Sequence, residues 1–401
     1  MMNLDILKQI SVRTPSKIVM LVFDGLGGLT DPETGRTELE TASTPNLDRL
    51  ASEGVCGLAH PVSPGITPGS APGHLSLFGY DPVQYIVGRG VLEVLGIDFE
   101  LAEGDVAARC NFCTVDENGV ITDRRAGRIA SEKSAELCKK LNQITIEGIE
   151  IFVLPVREHR FAVVFRGPEL SGDVEDTDPQ QAGLTPKEAI PHSDGAKRTA
   201  AIVNEFIAKS RSLLADSSPA NMLLFRGISQ HPNLPQMRDI FKLSPAAIAT
   251  YPMYRGLAKL VGMDVLATGT TFTDEISTLR SHWGDHDFFY IHIKQTDSSG
   301  EDGDFQRKVK VIEEADQVLP ELMDLSPDVL VVSADHSTPA VLKGHSWHPV
   351  PLLIHSRYCR TDAVKEFSEK ACVAGGLGTI SSTDIMPLAM ANALKLNKFG
   401  A

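Results

Sequence analysis

Asp335-His336, His345, Asp297 and Glu301 are spaced like ligands of hard or borderline cations. Carboxylate oxygen and imidazole nitrogen suit Zn²⁺, Mn²⁺ and related divalent ions. Asp335-His336 ends one apolar run, and His345 follows in Gly344-His-Ser-Trp-His-Pro-Val-Pro351. Asp297 follows a second apolar run and leads into Asp297-Ser-Ser-Gly-Glu-Asp-Gly-Asp304, which carries Glu301. That stretch has the residue types of an EF-hand loop, but the spacing is wrong and the closing Glu is absent. Asp24 ends a third apolar run and opens the turn Gly25-Leu-Gly-Gly28. Taken alone, Asp24 reads equally well as a carboxylate capping that turn. The glycines lack the G-x-G-x-x-G spacing of a dinucleotide site. Several carboxylates meeting in one crevice repel unless cations neutralise them, so the set points to two metals.

Ser70 is the candidate nucleophile. It lies in the Gly/Pro-dense segment Thr67-Pro-Gly-Ser-Ala-Pro-Gly-His-Leu-Ser76, just before a run able to start a helix. A helix N-terminus favours an anion beside such a hydroxyl, although a simple N-cap serine would leave the same trace. An α/β-hydrolase elbow would read G-x-S-x-G, and here the sequence is Pro68-Gly-Ser-Ala-Pro72. A serine without that scaffold needs another activator, and metal coordination is one. Arg124, Arg125 and Arg128 in Asp123-Arg-Arg-Ala-Gly-Arg128, with Arg160 further on, form the third chemical feature. Arginine runs are commonly solvated surface, yet planar guanidinium groups also capture carboxylate and phosphate with two parallel bonds. Cys110-x-x-Cys113 has no second pair at zinc-site spacing, so neither a zinc knuckle nor a redox role is expected.

The elements that must position these residues are buried strands. Ile18–Phe23, Phe288–Ile293 and Val329–Ser333 are short, mostly apolar runs, and helical patterns such as Lys197–Leu214 and Phe305–Met323 lie between them. Such alternation predicts an α/β fold with a mainly parallel sheet flanked by helices. Ligands in open α/β sheets bind at the carboxyl ends of the strands, which is where Asp24, Asp297, Asp335 and His336 fall. Residues 103–191 read differently, with turn-flanked alternating segments at 144–154 and 161–165 and a polar stretch at 173–181. We expect a discontinuous catalytic domain at 1–102 and 192–401 and a smaller inserted α+β domain at 103–191. The insert carries the arginines and is expected to clamp a small anion over the metals.

Composition narrows the partners. The 401 residues carry 52 Asp+Glu against 38 Lys+Arg, a formal charge of −14. A chain that acidic repels phosphate backbones and anionic lipid, so neither nucleic acid nor membrane is an expected partner. The six scattered cysteines read as reduced thiols, in keeping with a cytoplasmic location. A homo-oligomer stays open.

Together, Val22-Phe-Asp-Gly25, Ser43-Thr-Pro-Asn-Leu-Asp48, Pro68-Gly-Ser-Ala-Pro-Gly-His-Leu-Ser76, Gly79-Tyr-Asp-Pro82, Asp123-Arg-Arg-Ala-Gly-Arg128 and Ala334-Asp-His336 resemble a known family. It is the archaeal-type cofactor-independent phosphoglycerate mutases of the alkaline phosphatase superfamily. The likeness extends to His345 before Pro349-Val-Pro351 and to Ser381-Ser-Thr-Asp-Ile-Met-Pro387. The resemblance implies an alkaline phosphatase-like fold and interconversion of 3-phosphoglycerate and 2-phosphoglycerate, through a phosphoserine at Ser70, in glycolysis and gluconeogenesis. It implies one metal site at Asp24, Ser70, Asp335 and His336, and another at Asp297, position 301 and His345. The cofactors would be two divalent ions (Mn²⁺, Mg²⁺, Co²⁺ or Zn²⁺), with no bisphosphoglycerate. The substrate would be a small phosphorylated carboxylate held by Arg124, Arg125, Arg128 and Arg160.

Two positions depart from the family's pattern. It carries His at position 301, where this chain has Glu301, and many relatives carry a carboxylate directly after the serine. Glu301 still suits a divalent ion while lowering the charge of the site by one unit. Two alternatives remain. One is a metal-dependent phosphomonoesterase or phosphotransferase on the same scaffold, and the other is a catalytically weakened binding protein.

Overall fold

A computed structural model describes residues 4–400. The chain forms two compact units, one of residues 1–86 and 234–401 and the other of residues 87–233. The strands, in chain order, begin with β1 (Ile18–Phe23), β2 (Val55–His60), β3 (Val106–Val115) and β4 (Ile121–Asp123). Next come β5 (Glu150–Arg157), β6 (Arg160–Arg166), β7 (Met222–Gln230), β8 (Pro245–Ile248) and β9 (Asp264–Val265). The last four are β10 (Phe288–Ile293), β11 (Val329–Ser333), β12 (Val350–Ser356) and β13 (Gly378–Ser381).

The larger unit holds an eight-stranded sheet in the order β13-β2-β12-β11-β1-β10-β8-β9. Only the pairings of β12 with β11 and with β2 are antiparallel. The three strands expected from their apolar runs, β1, β10 and β11, lie side by side at its centre. Every residue of the three is buried, which accounts for continuous apolar runs rather than alternation. Their parallel register aligns Phe23 with Ile293 and Val22 with Ser333. Just beyond these strand ends, the chain places Asp24, Lys294 and Asp335 at the same edge. The helix Phe305–Met323, also where its pattern predicts it, packs Val309, Ile312, Ala315, Leu319 and Leu322 inward.

The smaller unit is wider than the expected 103–191. Its sheet runs β4-β3-β6-β5, with β7 on the other side of β3, and all of its pairings are antiparallel. β7 bonds to β3 from Val106 to Cys113, and the helix Lys197–Leu214 buries Val203, Phe206 and Leu214 in the core that β3, β6 and β7 share. The expected boundary at 191 therefore falls inside this unit, because a return strand far along the sequence completes its sheet. The alternating pattern expected over 144–154 also begins late. Residues 146–149 form a tight bridge, and the strand starts at Glu150.

One buried carboxylate ties the larger unit together. The helix Pro45–Glu53 begins at Thr44, whose side chain makes no capping bond. The cap comes instead from Asp316 on the Phe305–Met323 helix, which is buried and accepts from the Leu47 N–H at 2.8 Å and the Asn46 N–H at 3.2 Å. Asn46 Nδ2 adds a bond of 3.0 Å to the same carboxylate. Replacement by Ala leaves two helix N–H groups and a side-chain amide without this partner. Asp316→Ala is expected to cost about 2 kcal/mol of stability, read by urea or thermal unfolding. A change near zero would show that water replaces the cap.

Candidate active site

The carboxyl ends of β1, β10 and β11 gather the polar residues that the sequence singled out. Asp24 follows β1, is buried, and lies with Oδ2 3.2 Å from His292 Nε2 and 3.1 Å from Lys294 Nζ. Its Oδ1 is 3.2 Å from His336 Nε2. Asp335 and His336 follow β11, both buried, with His336 Nε2 3.1 Å from Asp335 Oδ2. Asp297 sits in the first turn of the helix Gln295–Asp302, after β10. Its Oδ1 accepts from the Thr338 hydroxyl at 2.8 Å and lies 3.5 Å from His345 Nε2. His345 stacks on His336 with ring centroids 3.7 Å apart, and its Nδ1 lies 2.9 Å from the Pro68 carbonyl oxygen.

Ser70 is the first residue of the helix Ser70–Leu77, and Gly69 takes the N-cap position. The hydroxyl therefore does not serve as the cap; its Oγ lies 3.1 Å from His336 Nε2. Close approach of this helix to the end of β11 requires Gly73, since a Cβ there would collide with the Asp335 carbonyl oxygen. Gly25 is under a similar constraint. It has φ +67°, and a Cβ would come within 2.5 Å of the Thr338 hydroxyl.

Two groups of side chains offer atoms close enough to share an ion: Asp24, Asp335 and His336, and Asp297, His336 and His345. Within each group the ligand atoms lie within 4.8 Å of one another. His336 reaches both, although the resemblance assigned it to the first set. Glu301 belongs to neither. It sits one helical turn beyond Asp297 with its side chain 55% exposed and Oε1 3.8 Å from His345 Nε2. The donor set fits a divalent cation on a further count. Asp24 Oδ1 and Asp335 Oδ2 are buried and take no hydrogen bond among the described residues, a costly arrangement unless a cation meets them.

The electrostatics follow from the crowding. Burial and then the charge of Asp24 push Asp335 up to about 7. Burial also opposes ionisation of Asp24 and Asp297. For Asp24, the neighbouring His292 and His336 imidazoles outweigh it and hold the carboxyl well below its usual value. For Asp297, the bond with His345 outweighs it and lowers the group to about 2. His345 is raised to about 9, since Asp297 overcomes the burial that would lower it.

Sequence reasoning missed several residues of this cluster, among them buried His74, whose Nδ1 lies 3.1 Å from Asp335 Oδ2. His292 braces Asp24, Lys294 bridges Asp24 and Asp297, and Thr338 joins Asp297 to His336 Nδ1, 2.9 Å away. Lys308 is buried and donates to the carbonyls of Gly25 at 2.9 Å, Gly27 at 3.3 Å and Thr338 at 2.9 Å, tying together the two loops that carry the site. His292 was legible as a lone imidazole within the apolar run Phe288–Ile293, two residues before Lys294 and therefore on the same face.

The arginines lie in the smaller unit. Arg124 makes a two-pronged bond to buried Asp178, Nε at 3.0 Å and Nη2 at 2.6 Å, and Arg226 approaches the same carboxylate at 3.4 Å. Arg124, expected to bind substrate, thus spends its planar edge on a partner within the chain. Arg125 and Arg128 are exposed on the turn at 126–128, and Arg160 is half-buried at the start of β6. Burial first, and then the positive charges of Arg160, Arg125 and Arg109, lower His159 to about 4. Those three guanidinium groups therefore concentrate their field at one place. Arg109, opposite Arg226 across β3 and β7, was not among the expected site residues.

Comparison with known proteins identifies the family. The family model described as 2,3-bisphosphoglycerate-independent phosphoglycerate mutase matches residues 51–221. A relative from Thermotoga sp. (strain RQ2), named a probable 2,3-bisphosphoglycerate-independent phosphoglycerate mutase, is 54% identical over 96% of both chains. One from Thermus thermophilus, with the same name, is 49% identical over 99% of both. Among solved structures, PH0037 protein from Pyrococcus horikoshii superimposes with a TM-score of 0.83 at 30% identity, covering 96% of this chain and 99% of the other. The cofactor-independent phosphoglycerate mutase from Thermoplasma acidophilum gives 0.75 at 32% identity, covering 94% of this chain and 100% of the other. The motifs around Asp24, Ser70 and Asp335-His336 thus sit in a chain that belongs to the family of 2,3-bisphosphoglycerate-independent phosphoglycerate mutases.

Proposed function

We propose that the protein is an isomerase that interconverts 3-phosphoglycerate and 2-phosphoglycerate, with Ser70 carrying the phosphoryl group between the two hydroxyls. The observation that carries this reading is the position of Ser70 Oγ, at a helix N-terminus and 3.1 Å from His336, the residue common to both ion-binding groups. Asp24, Asp335 and His336 would hold one divalent ion, and Asp297 and His345 the other. When bound, such ions lower the pKa of a coordinated hydroxyl and neutralise the charge of a phosphoryl group in transfer.

The chain's own residues do the rest. Ser70 Oγ forms a bond to phosphorus as the bond from phosphorus to the substrate's 3-oxygen breaks. The departing oxygen takes up the proton that Ser70 gives up. The reverse step at the 2-hydroxyl returns both, so no bisphosphoglycerate enters the balance. The N–H groups at the start of the Ser70–Leu77 helix face the phosphoryl oxygens. Arg125, Arg128 and Arg160, joined by Arg109, are the smaller unit's candidate groups for the substrate's carboxylate, and Arg124 is held by Asp178. Exclusion of water from the phosphoserine separates a mutase from a phosphatase.

The assay is formation of 2-phosphoglycerate from 3-phosphoglycerate with Mn²⁺, Mg²⁺, Co²⁺ or Zn²⁺ and no added bisphosphoglycerate. Inorganic phosphate without isomer would favour a phosphomonoesterase, and a folded chain that binds no divalent ion would favour a binding protein. Ser70→Ala is expected to lower the rate by more than about 10³-fold with the fold intact by circular dichroism, and an unchanged rate would exclude Ser70 as nucleophile.

Metal uptake should depend on pH in a stated direction. Asp335 at about 7 and His345 at about 9 must lose their protons to ligate, so protons compete with the metal. Mn²⁺ affinity is expected to fall as pH drops from about 8 to about 6, with proton release seen by calorimetry in buffers of different ionisation enthalpy. An affinity that is flat over that interval would remove these two groups from the ligand set. Glu301→His is expected to reorder the rates among the four metals, whereas an unchanged order would exclude Glu301 as a ligand.

A further inference from the structure

We propose that Lys294 is a permanent positive charge of the active site, held by both candidate metal carboxylates, which weakens metal binding and strengthens binding of the anionic substrate. The proposal rests on the two-metal reading given above.

The geometry divides each carboxylate between two tasks. Asp24 turns Oδ2 to Lys294 Nζ at 3.1 Å and to His292 at 3.2 Å, leaving Oδ1 toward His336 and the first ion-binding group. Asp297 receives Lys294 at Oδ2 and keeps Oδ1 toward His345 and Thr338 in the second group. The ammonium therefore occupies the oxygens that the ion-binding groups leave aside, and it can stay in place when ions are bound. The rings of Tyr251 and Tyr254, 5.8 and 5.6 Å from Nζ, offer their negative faces to the same charge. The side chain is 21% exposed, open enough to project its field into the crevice.

Position on the backbone strengthens the argument. Lys294 is the N-cap of the helix Gln295–Asp302, where the partial positive charge of the helix disfavours a cation. A local rule broken this way needs a compensating contact, and the two carboxylates supply it. A brace of this kind could be purely structural, in which case its loss would loosen the site for every ligand. A charge acts differently. At separations of a few ångströms it repels a divalent cation and attracts a phosphorylated carboxylate. Its removal must then move the two affinities in opposite directions.

The test titrates Mn²⁺ into the metal-free full-length chain by calorimetry and measures KM for 3-phosphoglycerate, comparing wild type with Lys294→Gln and Lys294→Arg. Lys294→Gln is expected to bind Mn²⁺ about tenfold more tightly, about 1.4 kcal/mol, and to raise KM about tenfold. Lys294→Arg, which keeps the charge, should stay near wild type in Mn²⁺ affinity. Should Lys294→Gln be destabilised, the rise in melting temperature on adding saturating Mn²⁺ must still exceed that of wild type. An unchanged or weaker Mn²⁺ affinity in Lys294→Gln, or an unchanged KM, overturns the proposal and leaves the two-metal reading standing. Wild-type protein that takes up no Mn²⁺ would instead overturn the reading beneath it.

Discussion

Three carboxylates, Asp24, Asp297 and Asp335, converge at the ends of three adjacent buried strands, and their mutual repulsion governs the surrounding structure. In a low-dielectric crevice such a set cannot stay fully charged without nearby cations or protons. Each response to that constraint is visible. Lys294 bridges two of the carboxylates, His345 is driven toward its charged form by Asp297, and Asp335 is pushed up to about 7. The oxygens left without hydrogen bonds, Asp24 Oδ1 and Asp335 Oδ2, mark where the compensation is incomplete. On the proposed reading, divalent ions complete it, and the same charge that opposes folding of the bare site becomes affinity for metal.

Such a cluster has to be held rigidly, and the scaffold does so from behind. Lys308 closes the Gly25–Gly27 and Thr338 loops with three bonds to carbonyl oxygens. Thr338 then donates its hydroxyl to Asp297 and contacts His336, so the loop after β11 orients a residue delivered by β10. Gly73 lets the Ser70 helix lie against the backbone of Asp335. The Ser70 hydroxyl, the proposed nucleophile, is thereby placed by backbone packing, as a near-attack geometry would require.

Much of this was legible in the sequence because the relevant signals are short-range. Continuous apolar runs identified β1, β10 and β11, and the polar residues following each run identified Asp24, Asp297 and Asp335. Ser70 stood out through the Gly/Pro composition around it. What stayed hidden depends on distant pairing. β7 belongs to the smaller unit because it bonds to β3, far earlier in the chain, and nothing within Met222–Gln230 announces that partner. Arg124 looked like an anion ligand until its two-pronged bond to Asp178 was seen. Lys308 reads as an ordinary helix lysine, and only the loops above it explain a fully buried ammonium.

The chain's charge of −14 and an anionic substrate stand in tension, and distance resolves it. At physiological ionic strength the field of surface carboxylates decays within about 8 Å, so the net charge opposes only the approach of the substrate. Inside the crevice the nearest fixed charges decide. There Lys294, at the start of the helix Gln295–Asp302, brings a positive charge among the carboxylates, whereas Glu301, near the end of the same helix, keeps its side chain 55% exposed. An exposed carboxylate is screened by solvent, so a Glu at 301 takes little from the attraction of a phosphorylated acid to the site. Lys294, in contact with Asp24 and Asp297, then sets the local sign, and replacing Glu301 changes the field of the crevice far less than replacing Lys294.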